Sequence, residues 1–272
     1  MSEQQPTPQP QENVRYEVED AVATITLNRP QAMNGLDVAT KEALLDAVRR
    51  AAVDEAARCV VLTGAGRAFC VGQDLKEHVQ ILRSSDPWSL FETVDRHYNP
   101  IVETIATMAK PVVAAVNGVA AGAGASLAFA CDLRVLAESA GFNLAFTGIG
   151  LSCDTGSSWT LSRLVGRAKA MELLYFPTTL SAAESADLGL ATTVVSDDEF
   201  AGEVAALAHR LASGPTTAYG AIRRSVAHSA EHGFAESLAF ESQMMTLTGA
   251  TDDHRRAVDA FLAKEKPTFT GS

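Results

Sequence analysis

Asp154 lies in the stretch Gly150-Leu151-Ser152-Cys153-Asp154-Thr155-Gly156-Ser157-Ser158-Trp159, shortly after the apolar residues Phe142, Leu144, Phe146 and Ile149. A carboxyl group in apolar surroundings resists ionisation, so its pKa rises and it can exchange protons near neutral pH. Asp is also a preferred helix cap, and a helix is expected to start near Ser157. Both readings stand on the sequence. Two glycine-rich stretches offer a complementary chemistry. The first, Gly64-Ala65-Gly66-Arg67-Ala68-Phe69-Cys70-Val71-Gly72-Gln73-Asp74-Leu75-Lys76, follows a predicted strand. Glycines there let a ligand approach the backbone, although a plain surface turn has the same composition. The second, Asn117-Gly118-Val119-Ala120-Ala121-Gly122-Ala123-Gly124-Ala125-Ser126, joins a buried strand to an apolar helix. Bare amides at a helix start suit developing negative charge. Close helix packing would use the same glycines. The dinucleotide fingerprint G-x-G-x-x-G fails, because Leu127 stands where its third glycine belongs.

Other chemistries are poorly served. Cys59, Cys70, Cys131 and Cys153 are widely spaced with no C-x-x-C pair, which argues against a metal cluster or disulfide framework and for a reducing cytoplasm. The six histidines (78, 97, 209, 228, 232, 254) form no metal-binding pattern. A net charge of -11 argues against a general nucleic-acid binder, which needs clustered Lys and Arg. No apolar run reaches the roughly 18 residues of a membrane span. Met1–Pro10 is Pro/Gln-rich without a basic-then-apolar pattern, and is expected to be a disordered tail rather than a signal peptide.

The elements that must position these groups follow from hydrophobic periodicity. Val14–Val18 and Ala21–Leu27 alternate as a strand pair, Val38–Val53 has helical spacing, and Arg58–Thr63 is a short buried strand. Asp86–Met108 is mixed, with a helix expected in its second half. Pro111–Val116 is a buried strand, Ala123–Ala130 an apolar helix and Asp132–Leu136 the next strand. This alternation predicts βαβ-type units and a largely parallel sheet. Ser181 followed by Glu184 is a capping box. Beyond Ser196 the chain turns helical, with amphipathic segments at Asp197–Ala212, Thr216–Ser229, Phe234–Leu247 and Asp252–Lys264. With 272 residues, 47% of them hydrophobic, one large α/β domain is expected.

Together the two glycine stretches resemble the paired oxyanion-hole segments of the crotonase (enoyl-CoA hydratase/isomerase) superfamily. The matching pattern is the turn Val71-Gly72-Gln73-Asp74-Leu75, then Asn117-Gly118, then the Gly-rich helix start. The resemblance runs on through Asp132, Gly150–Ser158, Leu180–Ala186 with Gly189-Leu190, and Phe261–Lys264, and so spans residues 14–267. It implies an α/β spiral fold of ββα units, with a disordered tail at 1–13, a core carrying the acyl-CoA site at 14–195, and a helical trimerisation segment at 196–272. It assigns the amides of Gln73 and Ala123 to an oxyanion hole for the thioester carbonyl. Asp74, Leu75, Lys76, Gly122, Phe146, Lys264 and Lys266 become substrate-binding positions, the lysines for the phosphates of CoA. Many relatives have Gly where Ala123 stands, but Ala still supplies the amide.

Hydratases of the superfamily use two glutamates, and the matching positions here are Ser126 and Phe146. Neither does their acid/base work unaided. Asp154 instead matches an acting Asp of several isomerases and of a dehalogenase. Phe142–Arg163 and Lys266–Gly271 most resemble the branch that isomerises the ring epoxide of phenylacetyl-CoA. In the dehalogenase comparison Phe146 replaces a Trp and Asn99 a His. The resemblance therefore implies an acyl-CoA isomerase with Asp154 as acid/base. It implies no metal or redox cofactor, coenzyme A only as part of the substrate, and a homotrimer or hexamer. Alternatives are a double-bond isomerase, a hydratase, a catalytically silent acyl-CoA-binding protein, and a hydrolase using Ser126 with a His in reach.

Overall fold

The computed structural model describes residues 12–84, 86 and 88–272. The tail expected at 1–13 lies, through residue 11, outside them. Strands β1 (Val14–Glu19) and β2 (Val22–Leu27) form an antiparallel hairpin. Its two turn residues, Asp20 and Ala21, both have positive φ, the conformation that matches the twist of the flanking strands. Helix α1 (Val38–Val53) is capped by the Asp37 side chain, which accepts from the Thr40 amide.

Three successive ββα passages then build the body. They are β3 (Cys59–Gly64), β4 (Ala68–Cys70) and α2 (Leu75–Leu82); then, after α3 (Ser89–Thr93), a π-helical turn at Val94–Tyr98 and α4 (Asn99–Thr107), come β5 (Val112–Val116), β6 (Val119–Ala121) and α5 (Ala123–Ala130); and lastly β7 (Leu133–Ala137), β8 (Gly141–Asn143) and α6 (Ser157–Tyr175). In each passage the first strand joins a six-stranded sheet, β1-β2-β3-β5-β7-β10, and the second joins a four-stranded sheet, β4-β6-β8-β9. From β2 to β10 (Thr193–Val195) the large sheet is parallel, as are β4, β6 and β8 in the small one. The short β9 (Leu180–Ser181) closes the small sheet in antiparallel fashion, and α7 (Ala182–Asp187) follows it under the expected capping box of Ser181 and Glu184.

The buried strands show why the large sheet needs cover on both faces. Val60 and Leu62 of β3, with Val112, Ala114 and Val116 of β5, enter one core. The alternate residues Cys59, Val61, Val113 and Ala115 enter a second core on the other face, sealed by Leu207, Ala208 and Ala212 of α8 (Phe200–Ala212). Helices α9 (Thr216–Ser229), α10 (Phe234–Gly249) and α11 (Asp252–Ala263) complete the chain. These four helices fall close to their expected positions. No helix among the described residues is long and apolar enough to cross a membrane.

All eight residues of α5 are buried, as an all-round apolar helix requires. Gly124 is what lets it lie against β4, since a Cβ there would overlap the Cys70 carbonyl oxygen. The Gly124→Val substitution is expected to lower stability by about 1–3 kcal/mol or more, read as a lower urea midpoint.

Candidate active site

Three loops leave the carboxyl ends of the parallel strands β4, β6 and β8 and enter α2, α5 and α6. In parallel α/β sheets this is the end at which ligands bind. The first two loops touch. A Cβ on Gly72, whose φ is +79°, would lie 2.9 Å from the Ala121 oxygen and 3.2 Å from the Ala123 amide nitrogen. Gly122, at φ 52° and ψ -124°, occupies a region open essentially to glycine, so the chain turns within one residue from β6 into α5. Ala123 is the first residue of that helix, where amides have no intrahelical acceptor. Among the described residues neither the Gln73 nor the Ala123 amide donates a hydrogen bond, whereas the flanking Asp74 amide donates to Leu36 O. Two free donors from different ββα passages therefore stand beside each other.

Gln73, Gly122 and Ala123 line a cavity of ≈160 Å³ together with Leu75, Phe146 and Asp154. Phe91, Tyr98 and Leu151 add to its apolar wall. Asp154 is the only carboxylate among the described lining residues. Burial pushes its carboxyl above the ordinary Asp range, partly opposed by the Thr155 hydroxyl, which donates to Oδ1 at 2.8 Å. The helix-capping reading of Asp154 does not hold. The cap position of α6 is Gly156, no side chain caps it, and Asp154 offers only its main-chain oxygen to the Ser157 amide at 3.0 Å. Two successive left-handed residues, Thr155 (φ 53°) and Gly156 (φ 77°), make the bend. For a β-branched residue that conformation is strained.

Other sequence-derived positions separate. Leu75, Gly122 and Phe146 line the cavity, whereas Asp74 and Lys76 do not. The Asp74 carboxylate is engaged in the fold: it accepts from the Lys76 and Glu77 amides to cap α2 and pairs with Arg29 at 3.0 Å. Lys76, Lys264 and Lys266 are exposed, and within one chain none of them reaches the cavity wall. Lys264 instead ends α11 in a left-handed conformation. Ser126 is fully buried, donates to Gly122 O at 3.0 Å and pairs with the Ser157 hydroxyl. With no His among those partners and no share in the cavity wall, it lacks the arrangement of a hydrolytic nucleophile. Sequence reasoning missed His78, Phe91 and Tyr98, which also line the cavity. They come from α2, α3 and the π-helical turn; the aromatic content of 88–98 was the available signal, but not its helical register.

A sequence model of the Enoyl-CoA hydratase/isomerase family matches residues 17–272. The chain belongs to this family. It is 41% identical over 258 residues to the 1,2-epoxyphenylacetyl-CoA isomerase of Escherichia coli (strain K12), covering 93% of this chain and 97% of that protein. It is also 41% identical, over 95% of this chain and 98% of the other, to a Rhodobacter capsulatus protein named a probable enoyl-CoA hydratase. A crystal structure of a Mycobacterium abscessus protein assigned to the enoyl-CoA hydratase/isomerase class superposes with a TM-score of 0.91 at 42% identity, covering 95% of this chain and all of that one. The two-sheet ββα architecture is thus the crotonase fold, and the chain is an enzyme of the hydratase/isomerase type.

The raised pKa of Asp154 has a consequence for stability. The native state holds this proton more tightly than the unfolded chain does, so protonation stabilises the fold at low pH. That stabilisation is lost as pH rises through the native pKa. Asp154→Asn carries no such loss. Its melting temperature is expected to exceed that of the wild type at neutral pH, with the gap closing toward about pH 4, near the ordinary Asp value.

Proposed function

We propose that this enoyl-CoA hydratase/isomerase family member is an acyl-CoA isomerase whose substrate is ring-1,2-epoxyphenylacetyl-CoA. The observation that carries the reading is the single carboxylate, Asp154, in an aromatic-lined cavity shared with the amides of Gln73 and Ala123. The thioester carbonyl would accept from the two amides, and Asp154 would take a proton from the carbon beside it. Negative charge then moves from a poorly solvated carboxylate to an oxygen held by two preorganised donors. Losing one such donor typically costs about 3–4 kcal/mol of transition-state stabilisation. Asp154, now protonated, returns the proton at another atom, and the product has the mass of the substrate. With the epoxide, the same groups assist ring opening and expansion to the seven-membered oxepin.

Water addition is disfavoured because it calls for a second acid/base, and Phe146 and the buried Ser126 occupy the matching positions. A purely binding role is disfavoured by a carboxyl group whose burial raises its pKa inside the cavity. The cavity volume supports a single-ring acyl group, since an apolar cavity of about 150 Å³ accommodates benzene. This chemistry needs no metal or redox cofactor. The exposed Phe234, Phe261 and Leu262 on α10 and α11 support burial against another copy of the chain, and the assembly we propose is a homotrimer or a dimer of trimers.

Incubation with ring-1,2-epoxyphenylacetyl-CoA, followed by liquid chromatography and mass spectrometry, is expected to give an isobaric product. Asp154→Asn is expected to slow its formation by about 10²–10⁴-fold. The acid limb of kcat/KM should sit above the ordinary Asp value and vanish in that variant. A product heavier by one water, or no turnover, would overturn the epoxide assignment.

A further inference from the structure

We propose that Lys41 and Tyr98 are positioning residues that aim the Gln73 amide by holding its side chain. The inference rests on the oxyanion reading above. Lys41 sits on α1 at 1% exposure, and a buried ammonium persists only where its donors find partners. Its Nζ donates to Gln73 Oε1 at 3.1 Å and to Thr93 Oγ1 at 2.7 Å, and lies 3.7 Å from Glu77 Oε2. The Tyr98 hydroxyl donates to the same Gln73 Oε1 at 2.8 Å, while Gln73 Nε2 donates to Glu77 Oε2 at 3.2 Å. Glu77 Oε1 in turn accepts from the Val38 amide at the start of α1. Both ends of the Gln73 carboxamide are thereby fixed by α1, α2 and the π-helical turn.

The backbone explains why such an anchor matters. Gly72 O accepts from the Leu36 amide and the Asp74 amide donates to Leu36 O, so the residues on either side of Gln73 are pinned. The Gln73 amide itself has no protein acceptor among the described residues. Its N–H shares one planar peptide unit with the Gly72 carbonyl; the Leu36 bond holds the oxygen edge of that plane, and the clamped Gln73 side chain holds the Cα at its other end. Lys41 does not line the cavity, so it acts through Gln73. Tyr98 does line it, and its ring lies 5.5 Å from Lys41 Nζ. An acyl group packed on that ring therefore rests on the same cluster that aims the donor.

The test uses cinnamoyl-CoA, a conjugated aromatic thioester whose absorption moves to longer wavelength when its carbonyl is polarised. The wild type should show that shift on binding. Lys41→Met and Tyr98→Phe should bind the probe within about threefold, show a smaller shift, and lose about ten- to a hundredfold in kcat on the ring epoxide. A merely structural cluster would change melting temperature and leave the shift of the folded variants intact, and that result overturns the inference. Tyr98→Phe removes one oxygen and keeps the ring, so it decides the matter if Lys41→Met does not fold. Absence of the shift in the wild type would overturn the oxyanion reading, and the inference with it.

Discussion

The site depends on two backbones coming close enough to touch. Because β4 and β6 are parallel neighbours, the turns at their carboxyl ends lie side by side. Only glycine lets them meet: Gly72 faces the Ala121–Ala123 backbone, and Gly124 faces the Cys70 carbonyl. Among the described residues the approach leaves the Gln73 and Ala123 amides without protein acceptors, while the Gly72 carbonyl and the Asp74 amide beside them are paired. A larger residue at either glycine would separate the turns, and no side-chain rearrangement could restore the pair of donors.

Repetition of the ββα passage places three loops at equivalent points, and their differing lengths divide the work. The shortest, Gly122 alone, starts a helix abruptly and leaves its first amide bare. The longest runs from Leu144 to Gly156 and carries Asp154. There the left-handed Thr155 and Gly156 keep the carboxylate from capping α6, at a strain on the order of 1–3 kcal/mol for a residue such as Thr155. The two environments are opposed in sense. One makes negative charge unwelcome on Asp154, and the other holds two amide donors that no described protein group accepts. In the proposed reaction, charge passes from the first to the second as the proton moves.

Much of this was legible in the sequence wherever a local pattern had one physical solution. The apolar run Ala123–Ala130 could only be a buried helix, Ser181 and Glu184 only a cap, and the four C-terminal amphipathic segments only helices. By composition the glycine turns and Asp154 each admitted a purely structural role beside the chemical one, and the motif resemblance tied them to one family. The small sheet was not legible, because strands of two or three residues such as β4, β8 and β9 are too short for alternation to register.

What only the tertiary structure decided was which groups meet. Asp154 had two open readings, and the left-handed bend at Thr155 settled that it does not cap α6. Asp74, Lys76, Lys264 and Lys266 matched a motif, yet Asp74 is engaged by α2 and Arg29 and the lysines stay outside the cavity wall of this chain. Tyr98 and Lys41 carried no motif and nonetheless converge on Gln73. Local sequence fixes backbone conformation and which face is apolar. Contacts between residues distant along the chain depend on how the ββα passages stack, and that packing is a property of the whole fold.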